Sequence, residues 1–327
     1  MRTQIEKTDQ LPYLRAKKSC VTAIALLLAV FVSTGHASAQ DARGQTAPII
    51  EAGANEPCIA DNRTRVAAGN ECLVIKTYGD SAERTSLIIF IHGDGYRRDP
   101  ADYGPSDYMY RVARKHGAKG IVAVGLIRPG YFDSNGNSST GNSYRDGDNY
   151  RPDVIATVAA AVKALKKHYN PENVVLVGHS GGSAISGVIL GKYPGLVDGA
   201  VLGACACNIP EWRTARRGYN NWKRSLSPHN FVDKIDKKTR IIAITGGEDE
   251  NTKSVFASDY VAALKAKEIE TSFIEVPGVG HNGIVGTIEF ETAIKEMLGE
   301  QQYTPLSIAM STDGDVQSVV LGSQLID

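Results

Sequence analysis

The chain has 327 residues, with 36 basic and 36 acidic side chains, 42% hydrophobic residues and five cysteines. Balanced charge without a dominant basic face excludes a nucleic-acid partner recruited by electrostatics. The length suits one large domain with a substantial core, and no internal repeat marks a solenoid.

At the N-terminus, Arg15, Lys17 and Lys18 precede the apolar run Val21 to Val32, and Ala37-Ser38-Ala39 follows it. Basic, apolar and small residues in that order predict a secretory signal peptide over 1–39, hence an exported protein, periplasmic or secreted. The alternative is an uncleaved N-terminal anchor. The run is short for a bilayer span, and Cys20 precedes it, so no lipid-attachment cysteine follows. Beyond residue 39 the chain is slightly acidic and has no other apolar run of membrane length, so no stable membrane span is expected after cleavage.

Four cysteines remain: Cys58, Cys72, Cys205 and Cys207. An even number in an exported chain allows two disulfides in three connectivities. Cys58 with Cys72 would close a short loop. Cys205 and Cys207, if on a strand, would point to one face near the limit of disulfide reach. Their spacing gives zinc no second ligand pair, and no metal is expected.

In chain order, "CLVIKTY" (72–78) and "SLIIFIHGDG" (86–95) read as strands, the second ending in a glycine-rich turn. "MYRVARKHG" (109–117) has helical spacing, and "GIVAVGLIRPG" (120–130) is the next strand. The polar, glycine-rich stretch 128–150 is long for a connection and is expected to shape a pocket or act as a lid. Its Asp133 and Asp146-Gly147-Asp148 do not match a calcium-binding loop. Residues 151–169 form an Ala-rich helix with lysines at its end. "NVVLVGHS" (173–180) is a strand, "GGSAISGVILGKYP" (181–194) a helix and "LVDGAVLGACA" (196–206) a strand. An irregular stretch runs to Val232, and 208–232 reads as a small cap holding both tryptophans and a group of basic residues, which would either favour an acidic or polar substrate or form a solvated face. Strand 239–249, helix 252–268, strand 271–278 and helix 282–299 complete a domain assigned to 40–302. The extension 303–327 has no clear role.

Near-continuous apolar strands alternating with helices predict an α/β fold: a mostly parallel sheet with helices on both faces. Ligands of such sheets sit at the C-terminal strand ends. Gly93 to Gly95, Arg128, Ser180, Gly247 to Asp249 and His281 then share one rim.

On that rim, Gly178-His179-Ser180-Gly181-Gly182 fits G-x-S-x-G between a strand and a helix. The glycines let backbones pass at a sharp turn that exposes the serine hydroxyl and leaves N–H groups at a helix N-terminus. A nucleophilic serine needs a base and an orienting carboxylate. Asp249 emerges past the strand ending at Gly246, with Glu248 and Glu250 as rival acids and a plain turn-cap as its other reading. His281 follows the next strand in a glycine-rich loop. His179 is expected to point away from the serine, and His92 to pack or hydrogen-bond at a strand end. Gly93, Asp94 and Gly95 form a His-Gly-x-Gly turn, so the Asp94 and Gly181 N–H groups are the candidate oxyanion donors, with the Asp94 carboxylate turned elsewhere.

The order Ser180, Asp249, His281, with the strand–G-x-S-x-G–helix context, resembles the α/β-hydrolase superfamily over about Leu87 to Leu298. "SLSPHNFVDKIDKKTRIIAITGGEDENT" (225–252) also resembles prolyl-oligopeptidase-like and dienelactone-hydrolase-like members, though the chain has no room for the propeller of true prolyl oligopeptidases. The resemblance implies cofactor-free hydrolysis of a small-molecule ester, thioester or amide. Carboxylesterase is the leading expectation and a serine peptidase or amidase the second. A non-catalytic binding protein on the same fold is a third. Oligomeric state is not encoded in these motifs.

Overall fold

The computed structural model describes residues 58–82, 85–95, 104–144 and 147–299, with the side chains of 104–107 excepted. The signal-peptide and C-terminal-extension assignments lie outside the described residues. Those described belong to one compact unit.

Eight strands make one sheet: β1 (Arg65–Ala68), β2 (Glu71–Tyr78), β3 (Ser86–Ile91), β4 (Ile121–Leu126), β5 (Asn173–His179), β6 (Gly199–Gly203), β7 (Arg240–Gly246) and β8 (Thr271–Val276). Their order is β1-β2-β4-β3-β5-β6-β7-β8. β1 pairs antiparallel with β2, and β2 antiparallel with β4; every other pairing is parallel. The α-helices among the described residues are α1 (Gly104–His116), α2 (Pro152–Tyr169), α3 (Gly181–Lys192), α4 (Ile209–Arg217), α5 (Ser254–Lys265) and α6 (Ile288–Met297).

The central strands are apolar at every position because both faces are covered. Ile89 pairs with Leu176 and both join the core beneath α2, α3 and α5. Their neighbours Phe90 and Val177 face the core beneath α1 and α6. Each such side chain removed from water contributes roughly 1.5–3 kcal/mol. α2 shows how local chemistry sets an element. Pro152 opens it at a position needing no N–H, and Val154, Val158, Val162 and Leu165 repeat at helical spacing on the buried side. Lys166, Lys167 and His168 fill its last turn, and Asn170 closes it in the left-handed region at φ 44°.

The structure departs from the sequence reading in three places. β1 is too short to show a pattern, and α4 forms within the stretch expected to be irregular. The helix expected over 282–299 is a 3-10 turn at Ile284–Gly286 followed by α6, because the Thr287 hydroxyl accepts from the Phe290 N–H and starts a new helix.

Among the described residues two disulfides are present. Cys58–Cys72, with Cα atoms 5.2 Å apart, ties the segment before β1 to β2. Cys205–Cys207, at 5.1 Å, lies just past the end of β6, not on a strand. The first closes the longer loop, so it restricts the denatured chain more. Replacing Cys58 and Cys72 together by serine is expected to lower unfolding free energy by about 3 kcal/mol in urea titrations. A change under about 1 kcal/mol would show that the link does not hold the edge of the sheet.

Candidate active site

The C-terminal strand ends bring the residues singled out in the sequence to one rim. Ser180 sits between β5 and α3 with φ 53° and ψ −116°, a region that a side chain other than glycine rarely adopts. Its N–H donates to the Gly203 carbonyl on β6 at 2.8 Å, which helps hold the turn. The flanking glycines are required by space. A Cβ on Gly178 would stand 2.5 Å from the Ser183 backbone, and one on Gly182 would stand 2.0 Å from the Ile91 carbonyl oxygen.

From this elbow a hydrogen-bonded relay runs to β7. His281 Nε2 lies 3.0 Å from Ser180 Oγ, and His281 Nδ1 lies 2.8 Å from Asp249 Oδ2. An ionised carboxylate only accepts, so Nδ1 carries the proton and Nε2 is free to accept the serine hydroxyl. Asp249 is buried, while Glu248 and Glu250 are exposed. Glu250 pairs instead with Lys253.

Asp249 does both things its sequence position allowed. Oδ1 accepts the Asn251 and Thr252 N–H groups at 2.9 and 2.8 Å, capping the turn. Oδ2 accepts from His281 and from the Thr252 hydroxyl at 2.7 Å. Burial pushes its pKa up, but the His281 bond and charge together with the Thr252 bonds outweigh burial and hold it below the ordinary value. The acid therefore stays ionised.

Sequence reasoning missed three contributors. Thr252 Oγ1 lies 2.7 Å from Asp249 Oδ2, 3.1 Å from His281 Nδ1 and 3.0 Å from the Ala204 carbonyl, which ties the acid to the end of β6. The His179 ring lies 5.1 Å from that of His281, and its Nε2–H donates to the His281 backbone carbonyl at 3.0 Å. Burial first, and then the neighbouring His281, lower its pKa to about 4, so it is neutral at pH 7. Asn251 places its side-chain amide nitrogen 3.1 Å from His281 Nε2, and its backbone carbonyl accepts from Trp212 Nε1 at 2.9 Å. Long-range contacts of this kind leave no periodic trace in a sequence.

The turn after β3 packs against the elbow: a Cβ on Gly93 would lie 3.1 Å from Ser180 Cβ. Asp94 Oδ1 accepts from Arg128 Nη1 at 2.8 Å and Oδ2 from the Tyr150 hydroxyl at 2.8 Å. Gly95 follows at the end of this turn, partly buried. His92 is buried; its Nε2 accepts the Arg128 N–H at 3.0 Å and its Nδ1 approaches the Gly93 carbonyl at 2.7 Å.

The 128–150 stretch is anchored where a lid had been expected. Thr140 Oγ1 accepts the Cys72 N–H at 2.7 Å and Ser139 Oγ accepts the Val74 N–H at 2.9 Å, fastening it to β2. Its far end delivers Tyr150 to Asp94. Tyr150 meets Trp222 edge-on at 5.4 Å, and Trp222 meets Trp212 at 5.3 Å, so the segment expected as a cap packs against the same side.

The sheet and the order of these residues along it are those of the α/β-hydrolase superfamily of serine hydrolases. Solved structures share the fold. The *Butyrivibrio proteoclasticus* protein Est1E, in a structure with ferulic acid bound, is 18% identical, with a TM-score of 0.52 over 72% of this chain and 98% of its own. The *Pyrococcus furiosus* esterase Pf2001 is 16% identical, with a TM-score of 0.52 over 75% and 97%. The *Pyrococcus horikoshii* acylaminoacyl peptidase is 14% identical, with a TM-score of 0.52 over 72% of this chain but 40% of its own. The model of the prolyl oligopeptidase family matches residues 131–299, just over half of the chain, and the chain belongs to that family. It is thus a serine hydrolase of the prolyl-oligopeptidase and esterase type.

Two predictions follow from the residues around His281. Thr252→Val keeps the shape but removes one bond to the acid, so kcat should fall about tenfold with KM little changed in steady-state assays. The folded pKa of His179 lies below its unfolded value of 6.5. The unfolded chain therefore binds more protons between pH 6.5 and 4, and stability is full above that window and lost as pH falls through it. The loss should reach about 3 kcal/mol, and His179→Gln should flatten that part of a stability–pH curve.

Proposed function

We propose that this protein is an exported carboxylesterase that cleaves an ester of a small or medium-sized substrate through an acyl-enzyme. The observation that carries the acyl-enzyme mechanism is the Ser180–His281–Asp249 relay at 3.0 and 2.8 Å. Ser180 is the nucleophile, His281 the base and Asp249 the carboxylate that fixes its tautomer. As Ser180 Oγ bonds to the ester carbonyl carbon, its proton passes to His281 Nε2. The carbonyl oxygen takes the negative charge, facing the Asp94 and Gly181 N–H groups. Collapse expels the alcohol, which takes the proton from His281. Water then repeats the sequence on the acyl-enzyme and restores Ser180.

Esterase is preferred to peptidase because the two esterase-type neighbours align over nearly their whole length, whereas the peptidase neighbour has chain well beyond the shared part. Family membership supports the second reading, a serine peptidase or amidase, since the same relay serves both reactions. Export is supported by two disulfides together with the signal-like order of residues 1–39.

Fluorophosphonate labelling of the wild type and Ser180→Ala tests the mechanism. Label on the wild type alone is expected, with kcat in the variant lower by about 10⁴-fold or more. Equal labelling of both would overturn it. Short-chain aryl esters should turn over faster than matched aminoacyl anilides; the reverse order selects the peptidase reading.

A further inference from the structure

Asp94 presents an electrostatic problem. It lies in the turn that offers an N–H to a developing anion, yet its own side chain is an anion. Its Oδ1 lies 2.5 Å from where a Cβ on Gly181 would stand, and Gly181 offers the second N–H. A lone carboxylate about 6 Å from an oxyanion, at an effective dielectric near 20, would slow the reaction on the order of 100-fold.

The partners of that carboxylate are specific. Arg128 Nη1 donates to Oδ1 at 2.8 Å and lies 2.9 Å from the same Cβ position, so cation and anion flank Gly181 together. Tyr150 holds Oδ2 at 2.8 Å. The Arg128 side chain is 1% exposed and that of Asp94 28%, so the cation is buried while the anion is partly open to solvent. Among the described residues Arg128 has no other acidic partner, and its Nε and Nη2 are buried without a hydrogen bond. Arg128 has five N–H donors and lies 4.9 Å from the Tyr131 ring centre. It is aimed at Asp94 and, at 3.4 Å, at the His92 carbonyl of the same turn. Burial disfavours the charge, but the neighbouring Tyr131, Asp94 and Tyr150 hold its pKa above the ordinary arginine value.

We propose that Arg128 is a positioning residue of the reaction, whose guanidinium neutralises the Asp94 carboxylate and turns it aside, so that the N–H of Asp94 acts on the oxyanion without its charge. The proposal rests on Asp94 and Gly181 being the oxyanion donors.

Its test compares Arg128→Met, Arg128→Lys and Asp94→Asn/Arg128→Met, each normalised to fluorophosphonate-reactive sites. Arg128→Met should lose about 30- to 100-fold in kcat with KM within about threefold, because the exposed charge acts on the transition state. Arg128→Lys keeps the charge without the fork and should lose under about tenfold. The double variant removes both charges and should regain at least about tenfold over Arg128→Met. A double variant as slow as Arg128→Met, a Lys variant as slow as Met, or a loss confined to KM would overturn the proposal. If Arg128→Met does not fold, the double variant, which leaves no unpaired buried charge, carries the test alone. A kcat within about tenfold of the wild type then supports the proposal, and a deeper loss overturns it. A wild type that does not label at Ser180 removes the underlying assignment along with the proposal. Labelled variants without recovery remove the proposal alone.

Discussion

The close crossing of α3 over the ends of β3 and β5 is the constraint on which the site depends. It places Gly182 against the Ile91 carbonyl and Gly178 against Ser183, and it forces Ser180 to φ 53°. No solvated loop would hold a serine in that geometry. It persists because the residues Gly181 to Gly191 of α3 are buried and the strands beneath it are apolar on both faces. Ser180 is left partly exposed at the N-terminus of α3 as a consequence of this packing, so core and site are one design.

Much of this was legible in the sequence because each part has a local signature. Parallel strands buried on both faces write themselves as unbroken apolar runs. The elbow writes itself as glycines at fixed spacing, and Asp249 and His281 follow strand ends in the expected order. What stayed hidden depends on contacts across the fold. Thr252 looked like the start of a helix, yet its hydroxyl joins β6, Asp249 and His281. Nothing near His179 in sequence shows that it holds the backbone of His281. α4 was invisible because Trp212 and Arg213 on its buried side answer to an aromatic neighbour and to Asn221 more than to a repeating stripe.

The 128–150 stretch shows how composition can mislead about motion. Serines, asparagines and glycines suggested a loop free to close. Instead its hydroxyls and its Asp133 carboxylate satisfy backbone groups, of β2 and of the loop itself. A polar segment can be held as firmly as an apolar one when its side chains replace missing backbone partners. Tyr150 can then serve as a fixed post for Asp94.

The ring closed by Cys205 and Cys207 has a consequence for how the site can move. Immediately before it, the Ala204 carbonyl lies 3.0 Å from the Thr252 hydroxyl; immediately after it, the Cys207 carbonyl receives the His229 N–H. One covalent bracket therefore carries both the acid turn and the base of the 208–232 segment. The two share a mount: the stretch that holds the 208–232 segment at Cys207 also holds the turn that presents Asp249 to His281.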